Sequence, residues 1–138
     1  MTEKSTNPFS LEGQLGLITG GGTGIGRAIA FALAHAGADL ILAARQLPAL
    51  QATAEDIKTE TGRNVLVTQV DIRSLESVQA LAGFVNEHGA QVDILVNNAG
   101  GQFPQAAENY SANGWRSIID LNLNGTWNVT QALGQQML

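Results

Sequence analysis

The sequence predicts an α/β fold, a doubly wound parallel sheet with helices on both faces. Three observations carry this. Short apolar runs alternate with helix-like stretches four times, and the apolar runs lack the polar alternation of a one-sided sheet. The first run also ends in a glycine-rich turn that opens straight into a helix-like segment. Parallel strands joined in this way need right-handed crossovers.

The elements follow in order. Residues 1–13 form a polar lead, and Gln14 to Thr19 (QLGLIT) is an apolar run of strand length that stops at glycine, as a buried strand does. In Gly24 to Gly37, residues Ile25, Ile29, Ala32 and Ala36 fall near helical spacing, and Gly37 supplies the stop. The small residues facing inward let this helix lie close against a sheet. Ala38 to Arg45 is a second strand, and Leu47 to Gly62 a second helix with Pro48 in its first turn and Gly62 past its end. Asn64 to Val70 is a third strand, in which Val65, Val67 and Val70 are β-formers. Ser74 caps a third helix whose apolar positions Leu75, Val78, Leu81 and Val85 repeat until Gly89. Val92 to Gly100 is a fourth strand running into a loop, and one longer helix is expected from about Asn113 to Leu138. Its Trp115 and Trp127 are read as core or interface packing. No repeat, low-complexity tract or linker divides the 138 residues, so a single domain is expected.

Composition narrows the function classes. Seven Lys+Arg against twelve Asp+Glu give a net charge of −5 with no basic cluster, which argues against nucleic acid as a partner. Without cysteine there are no disulfides or thiolate metal sites, and His35 and His88 read as helix-end residues, so no metal site is expected. The start lacks the apolar region of a signal peptide and no apolar run is long enough to cross a bilayer; the expectation is a cytoplasmic protein with no membrane partner.

The stretch Thr19 to Gly26 (TGGGTGIG) is the chemically informative one. At the start of a helix, free backbone N–H groups and the positive end of the dipole offer a seat for a pyrophosphate. Gly20, Gly24 and Gly26 would separately turn the chain, admit the phosphates and let the helix pack on the strand. The glycines alone are equally compatible with a plain helix-start turn. About twenty residues on, where a dinucleotide fold meets the adenosine ribose, stand Ala44 and Arg45 in place of a carboxylate. A guanidinium there can bind a 2′-phosphate, which favours NADP (NADPH) over NAD; the alternative is a solvated loop charge.

In these residues the chain resembles the short-chain dehydrogenase/reductase family, the Rossmann fold carrying a T-G-x-x-x-G-x-G turn. Three further strings match in order: VDI at Val70 to Ile72, NNAG at Asn97 to Gly100 and NLNG at Asn122 to Gly125. The resemblance implies the strand order 3-2-1-4 and a cofactor held by Gly20, Thr23, Gly24, Ile25, Gly26, Arg45, Asp71, Ile72, Asn98, Ala99 and Gly100. It gives Asp71 to the adenine, gives Asn98 a sheet-steadying role, and makes Asn122 the candidate for the family's catalytic-relay asparagine. Taken by themselves, Asp71 can simply open a turn before Ser74, and Asn122 is a mildly unfavourable helix residue. The GGQF string at Gly100 to Phe103 resembles the peroxisomal trans-2-enoyl-CoA reductase branch and its bacterial relatives. This implies a small-molecule substrate, such as an acyl-CoA, a terpenoid or another alcohol, and a homo-oligomer when full length.

The family's chemistry rests on a Tyr-x-x-x-Lys pair. Here Tyr110 is the one tyrosine, Gly114 stands four residues on, and the lysines are Lys4 and Lys58. The expectation is therefore the amino-terminal, cofactor-binding portion of a reductase, truncated after about four strands, with a non-catalytic NADP-binding module as the alternative.

Overall fold

The computed structural model describes residues 7–138. Strands β1 (Leu15–Thr19), β2 (Asp39–Ala44), β3 (Val65–Gln69) and β4 (Ile94–Val96) pair in parallel in the order β3-β2-β1-β4. This is the predicted Rossmann-like sheet. Successive side chains of a strand point to opposite faces, so the two central strands feed two cores. Leu17, Ile41 and Ala43 face one cluster with Val78, Leu81 and Val129, while Ile18, Leu40 and Leu42 face another with Ala30, Leu50 and Ile57.

Helices α1 (Gly24–His35) and α2 (Leu47–Thr61) cover the second cluster; α3 (Leu75–Glu87) and α5 (Gly125–Met137) cover the first. The inner face of α1 differs from the sequence expectation. Gly26, Ala30 and Ala34 are buried, whereas Ile25 is 74% exposed. Apolar character misleads here because the closest approach to the sheet selects the smallest residues, one position on. In α3, Val78, Leu81 and Val85 are buried as expected but Leu75, in the first turn after the Ser74 cap, is largely exposed.

Two sequence expectations about the strands also change. β3 is not covered on both faces: Leu66 and Gln69 are exposed along this edge strand. The fourth strand is only three residues long, because Asn97 onward turns away toward the neighbouring strand end.

The single helix expected near the carboxyl end is two, α4 (Ala112–Ile119) and α5, joined by a π-turn over Asp120–Asn124. There Gly125 N–H reaches back five residues to the Asp120 carbonyl, the mark of one extra residue in the helix. Trp115, Leu123 and Trp127 are each about 60% exposed, so core packing is excluded for both tryptophans.

His35 ends α1, 2.8 Å from Glu60, and the His88 ring contacts the Phe84 carbonyl past the end of α3. Of the polar lead, residues 1–6 lie outside the described residues. The rest docks: Leu11 N–H donates to the Ala36 carbonyl at 2.7 Å, and its side chain packs against the Ile18 cluster.

Candidate cofactor site

At the carboxyl ends of β1, β2 and β3, where the chain reverses its direction of travel across the sheet, lies a groove of about 230 Å³. Open α/β sheets bind ligands at this place. Its walls are the glycine turn, the end of β2 from Ala44 to Gln46, the Val70–Ile72 segment, and Ala99, Gly100 and Leu121.

The turn is built by contact at backbone level. Gly20 has φ +67, and a Cβ there would meet Asn98 Nδ2 at 2.8 Å. A Cβ on Gly26 would strike the Gly20 carbonyl itself and Asn98 Nδ2, so only glycine lets α1 come this close. Asn98 Nδ2 donates to the carbonyls of Thr19 (3.0 Å) and Gly20 (3.2 Å), tying the end of β4 to the turn after β1. Its sheet-steadying role is thus visible in the hydrogen bonds, and its side chain does not face the groove.

The start of α1 is left open. Ser74 and Ser111 cap the helices that follow them by accepting from Ser77 N–H and Gly114 N–H. Thr23 occupies the equivalent place before α1 and makes no such bond, and no acidic residue stands in the first turn. The N–H groups of Gly24, Ile25 and Gly26 therefore lack helical and capping partners and meet the positive end of the dipole, an arrangement suited to an anion. Ile25 is 74% exposed.

A second layer supports the turn. Thr53, 1% exposed on α2, donates from Oγ1 to the Gly22 carbonyl at 2.9 Å. Arg27 Nη1 donates to Thr53 Oγ1 at 2.9 Å, while Nη2 pairs with Asp56. Thr19 is also buried; its Oγ1 accepts from the N–H groups of Asn98 and Ala99. Arg27 and Thr53 escape motif reading, whereas Thr19 opens the glycine motif. The signal for Thr53 is a polar residue at the buried register of Leu50 and Ile57, but its partners are far away in sequence.

Arg45 and Asp71 line the same groove. The four ion pairs of the described residues leave the Arg45 guanidinium out. Asp71 is held by Arg73: Nε donates to Oδ1 at 2.9 Å, Nη2 to Oδ2 at 2.7 Å, and the Arg73 backbone N–H to Oδ1 at 3.1 Å. These bonds hold the Asp71 carboxyl down at about 2, against an ordinary 3.8. Asp71 thus opens the turn before Ser74 and also lines the groove. Ile72 is buried beside it, its carbonyl accepting from Asn128 Nδ2 at 3.0 Å.

Asn122 sits in the π-turn, not in regular α-helix. Its Nδ2 donates to the carbonyls of Gly101 (2.8 Å) and Ile118 (3.0 Å), and its Oδ1 accepts from Gly101 N–H (3.1 Å). It pins the loop after NNAG through both backbone polar groups of one residue, Gly101. Tyr110 donates its hydroxyl to the Phe103 carbonyl at 2.7 Å.

The family model described as short chain dehydrogenase matches residues 14–138. The chain belongs to that family. Among short chain dehydrogenase relatives, it is 43% identical over 130 residues to a probable 2,4-dienoyl-CoA reductase of Caenorhabditis elegans, covering 94% of this chain and 42% of that protein. It is 39% identical over 130 residues to the 2-dehydro-3-deoxy-D-gluconate 5-dehydrogenase of Bacillus subtilis, covering 94% and 50%. The structure superposes with a TM-score of 0.87 on L-sorbose reductase from Gluconobacter frateurii complexed with NADPH and L-sorbose, at 32% identity, covering 94% and 49%. The chain thus spans half or less of the length of these three proteins. Among the described residues, no group of His, Cys, Asp and Glu is placed to hold a metal ion, and no helix is long and apolar enough to cross a membrane.

Proposed function

We propose that this chain is the cofactor-binding half of an NADP(H)-dependent oxidoreductase. In this reading the pyrophosphate rests on the open N–H groups at Gly24 to Gly26, Asp71 and Ile72 border the adenine, and Ala99 and Gly100 border the rest of the cofactor. Bound there, the nicotinamide supplies or accepts hydride. The chain's own residues orient it: Asn98 and Thr53 hold the glycine turn in shape, and Asn122 fixes the loop at Gly101.

The observation that carries the reading is an uncapped α1 start, with Thr23 lining the groove, together with an ion-pair-free arginine, Arg45, on the same groove. What supports this fit is the close glycine turn itself, where a Cβ at Gly20 or Gly26 would meet Asn98 or the Gly20 carbonyl and push the start of α1 away. Arg45 offers a 2′-phosphate charge-assisted hydrogen bonds, and no carboxylate stands at the end of β2 to repel it. For the substrate, similarity to a dienoyl-CoA reductase and the GGQF loop support an enoyl-CoA-like or carbonyl/alcohol compound at Gly101 to Phe103. Proton transfer would fall to residues outside these 138, since Tyr110 is committed to Phe103 and has Gly114, not lysine, four residues on.

The test is titration of the full protein with NADPH and with NADH, before and after Arg45→Ala. Loss of a charge-assisted pair weakens NADPH roughly ten- to a hundredfold and leaves NADH nearly unchanged. Equal effects on both cofactors would remove Arg45 from this role.

A further inference from the structure

We propose that Arg73 is a specificity-determining residue for the phosphorylated cofactor: by binding Asp71, it cancels the negative charge that would otherwise share the groove with the 2′-phosphate at Arg45. The inference rests on the NADP(H) reading above.

Arg45 and Asp71 line the same end of the groove, and the positive charge of Arg45 is felt at Asp71. A lone carboxylate there would oppose a 2′-phosphate dianion much as a carboxylate at the end of β2 would. Arg73 removes that opposition by a two-pronged contact, with its own backbone N–H as a third donor. An ionised carboxylate has about four acceptor positions. Three are taken, two on Oδ1 and one on Oδ2, which leaves an Oδ2 position for a neutral donor such as the adenine amino group. Asp71 therefore keeps its capacity to accept a hydrogen bond while its charge is balanced. With the pair intact, this end of the groove carries the net positive charge of Arg45; without Arg73 it carries none.

The pair is poorly placed to serve stability. It joins residues two apart on a partly exposed turn, and such surface pairs contribute little to folding. Its field acts on what lies beside Asp71. Asp120 also faces Arg73 from the π-turn, and Asn124 donates to Asp120 Oδ1 at 2.8 Å. Arg73 thus feels a second carboxylate, while its hydrogen bonds go to Asp71.

The probes are the two adenosine halves, adenosine 2′,5′-bisphosphate and adenosine 5′-monophosphate, titrated calorimetrically into the full protein. Wild type prefers the bisphosphate. Arg73→Gln lowers that preference roughly five- to tenfold, through weaker bisphosphate binding, with the monophosphate within about twofold. In Asp71→Asn/Arg73→Gln the preference returns to within about twofold of wild type, because the uncancelled charge is gone. A merely structural role would leave the double variant as poor as the single one. Unchanged preference in Arg73→Gln, or no recovery in the double variant, overturns the proposal while the NADP(H) reading stands. A wild type indifferent to the second phosphate overturns both.

Discussion

Two turns leave adjacent strands at the same end of the sheet, and they are built in opposite ways. The turn after β1, Gly20 to Gly26, is locked by contacts that no side chain larger than hydrogen tolerates, with Asn98 and Thr53 holding its carbonyls. The stretch after β4, from Gly100 to Asn109, is exposed throughout and is held at a few points: Asn122 on Gly101, the Tyr110 hydroxyl on the Phe103 carbonyl, and Gln105 on Asn109. The first is specified by sterics at the backbone, the second by a few hydrogen bonds laid across a solvated surface. In the proposed function, rigidity therefore sits where an invariant group such as a pyrophosphate would lie, and freedom where the substrate would.

Three substitutions probe this contrast. Gly26→Ala should have the largest effect, since the new methyl meets the Gly20 carbonyl, which cannot move without breaking the Asn98 bonds. A loss of roughly 3 kcal/mol or more is expected in denaturant unfolding of the full protein, together with loss of nucleotide binding. A loss below about 1 kcal/mol would mean that the turn yields like an ordinary loop. Asn98→Ala comes next. It strips two buried carbonyls of their donor and should cost about 1–3 kcal/mol, with nucleotide affinity falling alongside stability because the two turns come apart. Undiminished affinity would show that the first turn holds its shape without the second. Tyr110→Phe should be smallest, within about 1 kcal/mol, because the freed Phe103 carbonyl can turn to water. A large loss of stability would show that the exposed loop is as constrained as the turn after β1.

The same contrast explains what was legible in the sequence. Steric requirements map onto residue type, so Gly20 and Gly26 mark the turn, and apolar runs mark β1 and β2, whose burial on both faces leaves little choice of residue. Arg45 and Asp71 were legible by position, because the strand ends bring them to one groove. The face of α1 was not: Ile25 and Ile29 outweigh Gly26, Ala30 and Ala34 on any hydrophobicity scale, yet closeness to the sheet favours the small residues. Nor were the partners of Arg27, Thr53 and Arg73. A hydrogen bond from α2 to a turn 31 residues away leaves no local pattern, and neither does an arginine that turns back on an aspartate two residues earlier.

The π-turn has a further effect, on rotational phase. Each residue of an α-helix advances about 100°, so Trp115 and Trp127 on an uninterrupted helix would project about 120° apart. One extra residue accommodated in the Asp120–Asn124 turn cancels a single step and brings the two indoles within roughly 20° of each other. Deleting one residue from that turn would restore a regular helix and keep that phase, since the two rings would then stand eleven α-helical steps, again roughly 20°, apart.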